Sequence, residues 1–174
     1  MHAHAEPGLN RAPERLEATA DPLLKLLERF QREGVKYILV GGHAVRLNGF
    51  LRSTEDIDIL LPRSIENGRR VIKALNFLAS AAELQPEWFA SGTDEPENIR
   101  VADDLLIDLL FAANGETYES LQAHVRTLNV DGVDINTLDI EGLLKTKTEY
   151  RDKDLIDRKA LLQILSQLKS SNPP

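Results

Sequence analysis

The chain has 174 residues, 21 Lys and Arg against 28 Asp and Glu, a formal net charge of −7 and no cysteine. That length fits one domain with a real core, and the charge argues against a broad basic surface for long nucleic acids while leaving room for a local basic pocket. The missing thiols exclude a disulfide framework and cysteine nucleophiles, which is compatible with a reducing, cytoplasmic setting. No apolar run approaches the roughly 18 residues of a membrane span, and the start, Met1-His-Ala-His-Ala-Glu-Pro, lacks an apolar signal core.

Residues 1–20 are polar, hold two prolines and show little periodicity, so they read as disordered or loosely ordered. Asp21-Pro22 opens a helix, with Asp as cap and Pro in the first turn; Leu23, Leu26, Leu27 and Phe30 form its apolar face and Gly34 ends it. Val35–Val40 reads as a first strand, Gly41-Gly42 as a turn in which the backbone can approach a ligand, and His43–Leu47 as a short helix stopped at Gly49. Glu55–Leu61 is a second strand, stopped by Pro62. Ser64 caps a helix expected to run to about Ala79, with Val71, Leu75 and Leu78 at i, i+4, i+7. Residues 82–97 read as a loop with room for one helical turn, in which Trp88 and Phe89 either stack on a base or plug the core edge. Ile99–Ala102 and Leu105–Phe111 form a hairpin about Asp103-Asp104, and the second run is apolar enough to be a central strand. Asn114–Leu121 reads as a short helix, and Val125–Val130 and Val133–Asn136 as a hairpin with an Asp131-Gly132 turn. Two helices close the chain, Leu138–Thr148 and Asp152–Leu168, the latter with Leu155, Leu161, Leu162, Leu165 and Leu168 as its buried stripe. The expected organisation is one α+β domain over 21–169, a mixed sheet flanked by helices with C-terminal helices, followed by a disordered tail at 170–174.

Asp56 and Asp58 carry the chemistry. Residues two apart in a strand point to one side, so these carboxylates project together while Ile57 and Ile59 face away. Paired carboxylates repel and lose solvation unless a cation shares them. Mg²⁺, or Mn²⁺, suits such hard oxygen donors and commonly bridges carboxylates to substrate phosphates. Asp108 interrupts the apolar run Leu105–Phe111. Its plain alternative is a salt bridge to an arginine such as Arg100, or an exposed strand face. Beside the Asp56/Asp58 pair, a third acidic ligand is the favoured reading.

The order Gly41, Gly42, Ala44, Gly49, Arg52, Thr54, Asp56, Asp58 resembles the glycine pair plus Asp-x-Asp signature of the nucleotidyltransferase superfamily of the DNA polymerase β-like fold. In finer spelling it resembles small bacterial stand-alone nucleotidyltransferases of the AbiEii-like toxin type. The pattern Lys147-x-x-x-Arg151-x-Lys153-Asp154-x-x-Asp157 resembles the closing segment of the same proteins. The resemblance implies Mg-dependent transfer of an NMP from an NTP to a hydroxyl of an RNA end, a protein or a small molecule, and, for the toxin type, an antitoxin partner. Asp56, Asp58 and Asp108 would be the catalytic metal ligands. Gly41, Gly42, His43, Arg52, Thr54, Lys147 and Arg151 would line the nucleotide, with Lys147 ahead of Lys145, Arg151 and Lys153 as the phosphate contact. Asp154 and Asp157 would serve structure, orienting those cations. Each assignment has a bland counterpart: Lys145 to Asp157 as a solvated helix face with i, i+4 pairs, Thr54 as a strand cap, Arg52 paired with Asp58, His43 as a helix-start residue. The alternative function is a catalytically inactive nucleotide-binding or interaction module of the same fold.

Overall fold

The structure is a computed structural model that describes residues 21–92 and 97–171; the segment 1–20 and residues 172–174 of the tail expected to be disordered at 170–174 lie outside it, while Ser170 and Ser171 belong to the last helix. Helix α1 (Pro22–Glu33) begins where Asp21 accepts from the N–H groups of Leu23 and Leu24 at 3.0 and 3.4 Å, and ends at Gly34, whose φ of 69° is left-handed. These contacts satisfy helix-end groups that have no partner within the helix. Six strands follow: β1 (Ile38–Val40), β2 (Ile57–Leu60), β3 (Asn98–Ala102), β4 (Leu106–Leu110), β5 (Val125–Val130) and β6 (Val133–Leu138). They form one mixed sheet in the order β3-β4-β2-β1-β6-β5, parallel at β2–β4 and β1–β6 and antiparallel elsewhere. Helices α2 (Gly41–Leu47), α3 (Ile65–Ala74), α4 (Ile140–Thr146) and α5 (Asp152–Ser171) flank it. The core lies where Leu26, Leu27 and Phe30 of α1 meet the inward residues of the middle strands, Leu39, Ile59, Ile107 and Leu109, all fully buried. The α+β expectation holds, and β4 is an interior strand between β3 and β2.

Several boundaries differ from the periodicity, each for a local reason. β1 starts at Ile38 rather than Val35 because the Asn67 side chain takes over the backbone of Lys36, accepting from its N–H at 2.8 Å and donating to its C=O at 2.9 Å. Helix α3 ends at Ala74 rather than Ala79: Arg29 of α1 donates to the Ala74 carbonyl at 2.8 Å and to Asn76 Oδ1 at 2.8 Å, fixing the exit. Leu75 and Leu78 stay buried, and the chain continues as 3₁₀ turns at Ala79–Glu83 and Pro86–Phe89. Phe89 is fully buried edge-on against Phe111 at 5.8 Å, which makes it a core plug. The helix expected at Asn114–Leu121 is a set of turns, because Asn114 and Gly115 take φ of 50° and 79°. Asn and Gly tolerate that region and nucleate turns there. Asp131 and Gly132 also have positive φ, 52° and 85°, as a two-residue hairpin turn requires.

The last helix departs most. Leu161 is buried, but Leu155, Leu162 and Leu168 are 43, 48 and 50 % exposed, and the inward face instead centres on Asp157 and Leu161, with Ile164 and Leu165 partly covered. A buried carboxylate sets this helix's rotation.

Gly68 of α3 separates two opposing effects. An added Cβ would stand 2.5 Å from Phe89 Cγ and 2.7 Å from its Cβ. Alanine ordinarily favours a helix over glycine by about 1 kcal/mol, while overpacking a rigid core costs roughly 1–3 kcal/mol. Gly68→Ala is therefore expected to lower stability by about 1–2 kcal/mol in urea unfolding, the reverse of the helix-propensity effect.

Candidate active site

The site is assembled by strand register. Val40 pairs with Asp58, Asp58 with Asp108, and Asp108 with Arg100, so these four residues form one row across β1, β2, β4 and β3. In β4 the alternation buries Ile107 and Leu109 and leaves Asp108 half-buried on the other face, the face Asp58 shares. Asp56 precedes β2 by one residue and projects to the same side as Asp58.

Two glycines make room for this row. After Val40, Gly41 adopts a φ of 71°, and a Cβ there would collide with the Asp58 carboxylate. A Cβ on Gly42 would lie 2.5 Å from Thr54 Oγ1 and 3.1 Å from Arg52 Nη1. Helix α2 starts at Gly41 itself, so the expected glycine turn is its first turn.

The carboxylates are poorly compensated. Burial, then the charges of Asp108 and Asp56, push the Asp58 carboxyl up from 3.8 to about 7, a hydrogen bond with Asp108 adding in the same direction while Lys147 acts against them. Arg100 stands on the Asp56/Asp108 side: its Nη1 lies 3.0 Å from both oxygens of Asp108 and 3.5 Å from Asp56 Oδ2. Among the described residues no three His, Cys, Asp or Glu side chains are gathered tightly enough to hold a metal ion as they stand. The donor set is nevertheless all carboxylate, and Asp58 is raised first by burial and then by the charges of its two acidic neighbours. That chemistry fits a hard divalent cation rather than one preferring nitrogen or sulfur.

The opposite wall is basic and comes from the C-terminal segment. Asp157, 1 % exposed, accepts from Arg52 Nε at 2.8 Å and Nη2 at 3.0 Å, and from Lys147 Nζ at 3.1 Å. Arg52 thus pairs with Asp157 and not with Asp58, correcting one of its two expected partners. The loop between α4 and α5 is pinned by Asp154, whose Oδ2 accepts from Thr148 N–H and Oγ1 at 2.9 and 2.8 Å. Between the walls lies a cleft of about 1020 Å³, whose lining includes Gly41, Gly42, Arg52, Thr54, Asp56, Asp58, Asp108, Lys147 and Arg151. His43 does not line it; burial and then Arg46 lower its pKa and favour the neutral ring. Lys145 lines a neighbouring groove instead.

Arg100 is the cleft residue that the sequence reading underused, naming it only as the bland partner of Asp108. A hairpin turning about Asp103-Asp104 would set Arg100 opposite Ile107; the observed register is centred on Asp104 and puts Arg100 opposite Asp108, so the contact became visible only with the strand pairing. Asp157 carried a weak signal, since one charge among the leucines of α5 reads equally well as solvated.

No protein-family model matches the sequence, and no curated protein matches it either. Among solved structures the chain is similar to a proposed nucleotidyltransferase from Thermotoga maritima, with 18 % identity and a TM-score of 0.51 over 92 % of this chain and 95 % of that one. This likeness establishes a nucleotidyltransferase-like fold.

The raised Asp58 carboxyl has a stability consequence. Because its folded pKa lies above the unfolded value, ionising it disfavours the fold, and the stability present below 3.8 is lost as pH rises to about 7. Asp58→Asn removes that loss. In urea unfolding with chelator, the variant should be roughly 2–4 kcal/mol more stable than the unsubstituted protein at about pH 8, with the gap shrinking towards about pH 4.

Proposed function

We propose that the protein is a nucleotidyltransferase that moves an NMP from an NTP to a hydroxyl acceptor. The observation that carries the reading is the convergence of three carboxylates, from β4, β2 and the approach to β2, on one face of the sheet, over a glycine pair and facing a basic wall. Asp56, Asp58 and Asp108 would hold Mg²⁺ or Mn²⁺. A bound divalent ion would offset charge on the entering and leaving oxygens of an in-line displacement.

The chain's own groups do the rest. Gly41 and Gly42 keep side chains out of the floor of the cleft, so phosphate oxygens approach backbone there. Arg52 and Lys147 bring two positive charges to one carboxylate, which leaves the pair-plus-Asp157 unit with one net positive charge turned to the cleft. That unit and Arg151 suit the triphosphate. Asp108, half-buried between Asp58 and Arg100 in the row, suits the acceptor side as the group that takes the proton of the attacking hydroxyl. Positioning and charge, rather than covalent chemistry, would supply the rate.

The order of residues from Gly41 to Asp58 also supports the AbiEii-like toxin type, and with it an antitoxin partner and an RNA end, a protein or a small molecule as acceptor. A second reading has one observation in its favour: Arg100 sits between Asp56 and Asp108, where a catalytic site would carry metal. That is the inactive nucleotide-binding module.

Incubation with α-³²P-labelled NTPs and cell lysate, followed by separation of RNA, protein and small molecules, tests the activity and identifies the acceptor. Label should enter one fraction, and Asp58→Asn and Asp108→Asn should each reduce transfer at least ~10²-fold with the fold retained. Metal-dependent NTP binding with no transferred label would select the second reading.

Calorimetry tests the basic wall separately. Lys147→Met should weaken Mg-NTP binding by about tenfold while leaving Arg52 on Asp157 to hold α5, as one charge-assisted contact is lost. An unchanged affinity would remove Lys147 from the nucleotide site.

A further inference from the structure

Arg100 lies on β3, the edge strand, and its guanidinium reaches two of the three carboxylates but is placed in no contact with the third, Asp58. Resting on the nucleotidyltransferase reading, we propose that Arg100 is a resident counter-cation: it occupies the Asp56/Asp108 side of the site in the metal-free protein, yields it to the divalent ion, and then meets the triphosphate.

Three features support the exchange. The arginine is 50 % exposed, with Asp56 at 42 % and Asp108 at 19 %, whereas in the structural ion pair Arg52 is 20 % and Asp157 1 % exposed. Exposed pairs are worth little, so this one opens at small cost. Formal charge also leaves the metal-free site short of cation. Three carboxylates against one guanidinium leave two negative charges unmatched, with Asp58 the group outside the ion pairs. One divalent ion matches the remainder but competes with Arg100 for the same oxygens. Finally, a guanidinium keeps its charge at any working pH and presents a planar fork that suits phosphate oxygens as well as carboxylates. A displaced Arg100 remains at the cleft wall, beside Asn98 and Leu110, and needs only side-chain rotation to face a phosphate.

The exchange predicts opposite effects on two ligands. By titration calorimetry, Arg100→Gln should bind Mn²⁺ alone about three- to tenfold more tightly than the unsubstituted protein, because the competing cation is gone. It should bind the Mg complexes of ATP, GTP, CTP and UTP, tested in turn, about three- to tenfold more weakly in whichever case binding occurs, because a phosphate contact is lost. Arg100→Lys, with one compact ammonium, should fall between the two in both titrations. The Mn²⁺ difference should narrow as KCl is raised towards about 0.5 M. Equal or weaker Mn²⁺ binding by Arg100→Gln overturns the exchange and leaves the carboxylate site standing. Unchanged Mg-NTP affinity overturns the transfer to phosphate. Absence of Mn²⁺ binding in every variant overturns both this inference and the metal reading beneath it.

Discussion

The parallel pairing of β2 with β4 is the constraint on which the site depends. It sets Asp58 beside Asp108 although fifty residues of chain separate them, and it does so through backbone hydrogen bonds that are indifferent to side-chain charge. The apolar residues enforce that register. Ile57 and Ile59 on one strand and Ile107 and Leu109 on the other must all face the core, and a slip by one residue would send all four to the open face. Burial of isoleucines therefore holds two mutually repelling carboxylates side by side. Hydrophobic area of this size outweighs a repulsion of a few kcal/mol.

The second fixed point is the Asp157 carboxylate. Isolated, a charge so thoroughly removed from water would be expensive, but it takes a two-pronged contact from Arg52 and a third from Lys147. Those contacts join three separate pieces of chain: the approach to β2, the loop after α4, and α5. The geometry explains why α5 does not bury its leucine stripe. The rotation that satisfies Asp157 puts Leu161 inward and leaves Leu155, Leu162 and Leu168 exposed. An unmet buried charge costs more than two or three half-exposed leucines, so the charge decides the face.

This comparison also shows what a sequence discloses. The strand pair, the hairpins and α1 follow from periodicity and from Asp21, Gly34 and Asp131-Gly132, because local backbone chemistry fixes them. Most candidate cleft residues were legible for the same reason: Gly41, Gly42, Thr54, Asp56 and Asp58 lie in one short stretch, and Asp108 stands out in an apolar run. What was hidden is tertiary. No local pattern says that Asn67 will occupy the backbone of Lys36, that Arg29 will cap the end of α3, or that Arg52 will choose Asp157 over Asp58. Each depends on two segments meeting, and Arg52 pairs with the more deeply buried of its two candidate carboxylates.

The two acidic centres of the cleft are built on opposite principles. Asp157 is sealed and surrounded by cations, so its charge is matched within the protein and its neighbours are rigid. Asp56, Asp58 and Asp108 are partly open; the exposed Arg100 guanidinium meets only Asp56 and Asp108, and Asp58 is raised to about 7. A structural ion pair gains nothing from remaining half-satisfied, since solvent screening weakens it and repulsion opposes it. A site that must bind and release an anionic ligand with its counter-ion does gain, because charge left unmatched in the resting protein becomes binding free energy when the ligand arrives. The cleft thus sets a sealed, cation-held carboxylate on one wall and partly open, poorly matched carboxylates on the other, and that division separates a scaffold that holds its shape from a face whose charge the protein itself does not balance.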